Sequence, residues 1–152
     1  MVKLELDSPQ ATEQLGARLA DLTKPGSVLY LRGDLGAGKT TLVRGFLRAL
    51  GYSGAVKSPT YTLLEPYELT NRLVLHCDLY RLTDAEELEF LGLREFLDEE
   101  TILLVEWPER GEVLLPPADV DILLEYSVVG RSCCVSTTAA ENEAVLLRNL
   151  SN

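Results

Sequence analysis

The chain has 152 residues, the length of one domain; 46% are apolar and 25% charged, which argues against disorder, collagen-like repeats and a bare coiled coil. The net charge of −10 is uneven. Residues 1–76 carry nine basic against seven acidic side chains and residues 77–152 carry five against 17, which disfavours direct DNA or anionic-membrane binding and leaves the first half as the easier seat for an anionic ligand.

In chain order, Leu4 and Leu6 alternate with Glu5 and Asp7, the pattern of a half-buried strand. Ser8-Pro9 predicts a helix start, with Ser8 as N-cap and Pro9 in the first turn; Ala11, Leu15, Leu19 and Leu22 follow at helical spacing until Lys24-Pro25-Gly26. Val28–Leu31 is a short apolar run suited to a strand buried on both faces. A glycine-rich turn over 33–40 opens a second helix from Thr40, with Leu42, Val43, Phe46, Leu47 and Leu50 inward and Gly51 as its stop. Residues 60–64 and 72–80 are predicted strands joined by a polar link, and 84–89 a helix with acids in its first turn. Ile102–Val105 is a second buried strand. Residues 119–126 and 132–137 are predicted to pair antiparallel around Val129-Gly130, and Thr138 with Glu141 to form a capping box for a last helix carrying Ala144, Leu147 and Leu150. No apolar run approaches 18 residues, no signal-peptide core opens the chain, and three cysteines make a poor disulfide framework. A cytoplasmic protein is expected.

Gly33-Asp34-Leu35-Gly36-Ala37-Gly38-Lys39-Thr40 fits G-x-x-x-x-G-K-[ST] at every fixed position, between a predicted strand and a predicted helix. Glycines let successive N–H groups turn into one concavity, the helix N-terminus adds partial positive charge, Lys39 meets the β/γ-phosphates, and Thr40 offers a hydroxyl oxygen to Mg²⁺. The metal needs an acid, and Glu106 stands directly after a buried strand, where the ligand crevice of a parallel sheet lies. Strand alternation puts His76, Asp78 and Tyr80 on one face. Asp78 is either a metal helper or base, or a structural partner of Arg81; for His76 a satisfied structural imidazole is expected. Ser58-Pro59-Thr60-Tyr61-Thr62 is either a γ-phosphate-sensing segment or an ordinary loop. Residues 84–100 hold eight acids and one base, a solvated face or a docking surface for a basic partner. The expected fold class is α/β: a P-loop NTPase-like three-layer fold with a mixed, mainly parallel central sheet and antiparallel hairpins, one domain over 1–152.

Four blocks, 33–41, Ser-Pro-Thr-Tyr-Thr (58–62), His-Cys-Asp-Leu-Tyr-Arg (76–81) and Val-Glu-Trp-Pro-Glu (105–109), together resemble the bacterial TsaE (YjeE) family, small ATPases needed to make threonylcarbamoyladenosine in tRNA. The resemblance implies that Gly36, Ala37, Gly38, Lys39, Thr40 and Thr41 wrap the phosphates of ATP. It implies that Thr40 and Glu106 hold Mg²⁺, that Asp78 supports hydrolysis near the metal, and that Trp107 lies beside the active site. Ser58 and Thr60 would belong to a switch-like segment, residues 9–12 would lie near the adenine, and Arg131 near the nucleotide. Hydrolysis would serve a complex with TsaB and TsaD, with tRNA reached only indirectly. The rivals are a nucleotide-dependent switch with negligible turnover and a small-molecule kinase; a GTPase is disfavoured because no Asn-Lys-x-Asp guanine reader occurs.

Overall fold

The computed structural model describes every residue except 60, 61, 85, 112, 139–144, 146, 147, 151 and 152. Ser8 accepts from the Ala11 N–H at 3.1 Å, and this cap with Pro9 behind it starts α1 (Pro9–Leu22) straight out of β1 (Val2–Leu6). β2 (Val28–Arg32) leads through the glycine turn into α2 (Lys39–Ala49). There follow β3 (Leu64–Leu69), β4 (Arg72–Asp78), the short helices α3 (Glu86–Phe90) and α4 (Leu93–Phe96), β5 (Ile102–Glu106), a single 3-10 turn (Pro108–Arg110), and the hairpin β6 (Val120–Ser127) and β7 (Gly130–Thr137). The described strands form one sheet in the order β1-β7-β6-β2-β5-β4-β3. Its centre, β6-β2-β5-β4, is parallel; β1, β7 and β3 join antiparallel at the flanks. The expected mixed, mainly parallel sheet is therefore the observed one.

The sheet is covered on both faces, which is why β2 and β5 read as unbroken apolar runs. Leu29, Leu31, Ile102 and Leu104 pack with Leu15, Leu19, Leu42, Val43, Phe46 and Leu47 of α1 and α2. Leu75, Cys77, Leu103 and Val105 point the other way, against Leu88 and Leu93 of α3 and α4. Leu42, Val43, Phe46 and Leu47 are fully buried, and each such side chain contributes about 1.5–3 kcal/mol. Those residues fix α2, and so fix the glycine turn at its start. Close approach to α1 helps: a Cβ on Gly45 would lie 2.0 Å from the Glu13 carbonyl oxygen, and one on Gly16 2.1 Å from that of Leu42.

Two sequence expectations are corrected. The strand expected over 60–64 begins only at Leu64, and most of the expected polar link is β3 itself, turning into β4 at Thr70-Asn71. β3 is an edge strand with one pairing partner and one buried side chain, Tyr67, so it shows no apolar run, and Pro66 is tolerated there because an edge strand has a free side. The helix expected over 84–89 is shorter, Glu86–Phe90. Of the last predicted helix, Glu141, Ala144 and Leu147 lie outside the described residues, while Leu150 is helical and buried. No helix among the described residues is long and apolar enough to cross a membrane.

Two measurements test this packing. Gly45→Ala forces backbone against backbone and is expected to lower unfolding free energy in urea by about 1–3 kcal/mol. Burial raises the Cys77 thiol far above its ordinary value and pushes Cys133 up to about 12, whereas Cys134 is only half-buried. The thiolate is the nucleophile, so maleimide at pH ~8 is expected to label Cys134 in the native chain, and Cys77 and Cys133 only after unfolding, as read by peptide mass spectrometry.

Candidate functional site

The carboxyl ends of β2, β5 and β4 lie side by side. Leu31 pairs with Glu106 and Asp78 pairs with Glu106, so the two acids stand on adjacent strands beside the exit of β2 into the glycine turn. Both are buried, at 5% exposure for Asp78 and 3% for Glu106. An open cleft above these strand ends is lined by Leu35, Gly36, Gly38, Lys39, Thr40, Thr41, Ser58, Asp78, Tyr80, Glu106 and Trp107. The fold thus gathers almost all the residues singled out from the sequence at one place. Thr60 lies outside the described residues.

Gly38 is the N-cap of α2 at φ 107°, a left-handed conformation that a side chain would strain. No side chain caps this helix end. Its first-turn amides have no intrahelical acceptor and face the cleft with the positive end of the helix dipole, an arrangement suited to phosphate. Lys39, buried at 5% exposure, donates to the Gly33 carbonyl at 2.5 Å and sits 4.1 Å from the centre of the Trp107 ring. Burial lowers its pKa below the ordinary lysine value, while the carboxylates of Glu106 and Asp78, with Glu109 and Asp34 behind them, pull it back up. Trp107 adopts a left-handed backbone (φ 56°), which costs a non-glycine residue roughly 1–2 kcal/mol, and its ring also meets Tyr80 at 5.1 Å. That conformation accompanies a ring set over Lys39.

The two acids are held differently. Asp78 accepts from the Ser58 hydroxyl at 3.0 Å and from the Tyr80 N–H at 3.0 Å. Glu106 Oε2 lies 2.7 Å from His76 Nε2. His76 is fully buried and its Nδ1 has no hydrogen-bond partner among the described residues, so the imidazole is not the satisfied structural group expected from the sequence. Tyr80 also lines the cleft, but the strand expected over 72–80 ends at Asp78, so Tyr80 comes there from the turn after β4 and not by strand alternation.

Arg131 reaches the loop from β7. It donates from Nε to the Ala37 carbonyl (3.2 Å) and from Nη2 to the Gly36 carbonyl (3.1 Å), and stacks 4.2 Å from the ring of Tyr126, its partner across the hairpin. Tyr126 in turn donates to the Leu35 carbonyl at 3.0 Å. Holding these carbonyls outward leaves the N–H side of the same peptides free to face inward. A neighbouring cleft, lined by Leu6, Ser8, Pro9, Thr12, Gly130 and Arg131, shares Gly36, Gly38 and Thr41 with the first. The stretch expected near an adenine therefore adjoins the glycine-rich loop.

A cation fits this cleft through oxygen atoms only: the Thr40 hydroxyl and the Glu106 and Asp78 carboxylates. Among the described residues no group of three or more His, Cys, Asp or Glu side chains forms a self-contained metal cage. Such a sparse, all-oxygen set suits Mg²⁺, which keeps waters and takes substrate phosphate oxygens to complete its octahedron.

The family model described as "Threonylcarbamoyl adenosine biosynthesis protein TsaE" matches residues 6–133, a span that includes all four sequence blocks. The chain is 51% identical over 104 residues to the tRNA threonylcarbamoyladenosine biosynthesis protein TsaE of Haemophilus influenzae, covering 68% of this chain and 66% of that protein. It is 40% identical over 118 residues to the protein of the same name from Bacillus subtilis (78% of this chain, 73% of that one), and 40% identical over 126 residues to that of Aquifex aeolicus (82% and 85%). The crystal structure of Bacillus subtilis YdiB superposes with a TM-score of 0.81 at 28% identity, covering 99% of this chain and 94% of that one.

Arg131→Ala removes the two guanidinium bonds that shape the loop. Without them the loop amides lose their fixed orientation, so calorimetry is expected to show at least a roughly tenfold loss of ATP affinity; because hydrogen bonds to a charged group contribute about 1.5–3 kcal/mol each to the unliganded fold, the melting temperature is expected to fall by several degrees as well. Unchanged affinity would mean that the loop holds its shape without them.

Proposed function

The chain belongs to the TsaE family of threonylcarbamoyl adenosine biosynthesis proteins, and on that premise we propose that it binds ATP with Mg²⁺ and hydrolyses it to ADP and phosphate as a subunit acting with TsaB and TsaD in the threonylcarbamoyladenosine modification of tRNA. One observation carries the reading: two buried carboxylates end adjacent parallel strands directly beside a P-loop whose lysine is itself buried. Structural acids are seldom buried in a pair without a dedicated charge partner. Here the compensating charges are the Lys39 ammonium and, in the reading, the cation delivered with the substrate.

The triphosphate lies along the loop. Amides of Gly36 to Thr41 donate to its oxygens, and Lys39 leaves the Gly33 carbonyl and the Trp107 face to meet the β/γ-phosphates. An anion restores to the buried ammonium the stabilisation that burial removes. The nucleoside end occupies the neighbouring cleft along residues 9–12, with Arg131 holding the loop between the two. Thr40 and Glu106 would hold Mg²⁺, which would supply charge neutralisation to the phosphates. Asp78 accepts a hydrogen bond from the attacking water and orients it in line with the leaving oxygen, and the proton passes to Asp78 or to the departing phosphate. Trp107 and Tyr80 wall that side of the cleft and limit other water.

Ser58 links hydrolysis to partners. Its hydroxyl occupies Asp78 Oδ2. Contacts that draw the Ser58 hydroxyl away free that oxygen for the water, and this is how TsaB and TsaD would stimulate turnover. The acidic second half is compatible with a subunit that works beside a tRNA enzyme without itself gripping tRNA.

A phosphate-release assay with ATP and GTP, with and without TsaB and TsaD, tests the proposal. The expected result is ATP-selective hydrolysis that rises when both partners are present and falls at least about 100-fold in Lys39→Ala and Glu106→Ala. Phosphate release that survives both substitutions, or none at all with partners present, contradicts it.

A further inference from the structure

We propose that His76 is the positioning residue of Glu106: its imidazole, donating from Nε2, holds one carboxylate oxygen so that the other serves the cleft. The inference rests on the reading of Glu106 as the acid of the ATP site. His76 lies within β4, two residues before Asp78, on the face of the sheet that packs against α1 and α2. On that face its neighbours Val74 and Leu104, the latter its register partner on β5, are apolar and buried, and its register partner on β3 is the half-buried Glu65. An aliphatic side chain would fill this position without leaving a polar atom unpaired. The imidazole instead is fully buried with Nδ1 unpartnered among the described residues, and its other nitrogen lies 2.7 Å from Glu106 Oε2. A core histidine kept for packing would have both nitrogens satisfied or neither aimed at an acid; an unsatisfied buried group calls for a reason.

The tautomer follows from the partner. A carboxylate only accepts, so the shared proton sits on Nε2. With Oε2 committed, the Glu106 side chain has one orientation, and its second oxygen is presented to the cleft that Glu106 lines. Partners of this kind, one step back from a ligating carboxylate, typically change affinity or activity 10–100-fold when removed. His76 touches neither substrate nor water; its effect passes through Glu106.

The chain has a single histidine, so its imidazole signals in long-range ¹H–¹⁵N correlation spectra need no assignment. The wild-type chain is expected to show the Nε2–H tautomer with an exchange-protected proton, shifted both by Glu106→Gln and by Mg²⁺ with the β,γ-imido analogue of ATP. His76→Gln, whose amide N–H reaches the same oxygen, is expected to stay within about threefold of wild-type kcat. His76→Leu is expected to lose about 10–100-fold in kcat with KM for ATP little changed, and to need more Mg²⁺ for tight binding of the analogue by calorimetry. An Nδ1–H tautomer, an imidazole signal indifferent to Glu106→Gln, or equal activity of the Leu and Gln variants overturns the inference. If His76→Leu does not fold, the tautomer and its response to Glu106→Gln decide. A wild-type chain that hydrolyses no ATP overturns the function proposed above by a separate result, because the imidazole signal is read without turnover.

Discussion

One electrostatic constraint governs the molecule: two buried carboxylates and one buried ammonium converge where β2, β5 and β4 end. In a dry core these charges would be costly, and burial already lowers the Lys39 pKa against the opposing pull of Glu106 and Asp78. On the function proposed above, this is a site left incomplete by the protein and completed by a polyanion with its cation. The bonds to Asp78 from Ser58 and Tyr80 and to Glu106 from His76 hold both acids in place as acceptors.

The rest of the fold holds this point still. α2 must start where the loop ends, so its inward face is packed without gaps, and Gly16 and Gly45 let α1 lie against its backbone. The β6–β7 hairpin clamps the loop from outside through Tyr126 and Arg131. Trp107 is held in a strained backbone conformation beside the lysine, which is where strain in a folded protein tends to be kept.

Local chemistry was legible in the sequence, and long-range geometry was not. Ser8-Pro9, the glycine turn and the apolar runs of β2 and β5 each state their structure within a few residues, and together they gave the α/β class and the place of the loop. The four blocks brought Lys39, Thr40, Asp78, Glu106 and Trp107 to one cleft. β3 was misread because an edge strand with one buried residue and a proline has no apolar signature. The contacts of Arg131 and Tyr126 with the loop span more than 90 residues, and no local pattern announces them. Alternation placed His76 on the face of Asp78, but its partner became visible only with β4 and β5 as neighbours.

Calorimetric titration of the intact chain with ATP, in the presence and absence of Mg²⁺, tests the central claim most directly. Uptake of a single nucleotide per chain, strengthened by Mg²⁺ and abolished when Lys39 is replaced by methionine, is the predicted result. A folded chain that takes up no nucleotide, or binds it equally well without the lysine, contradicts it.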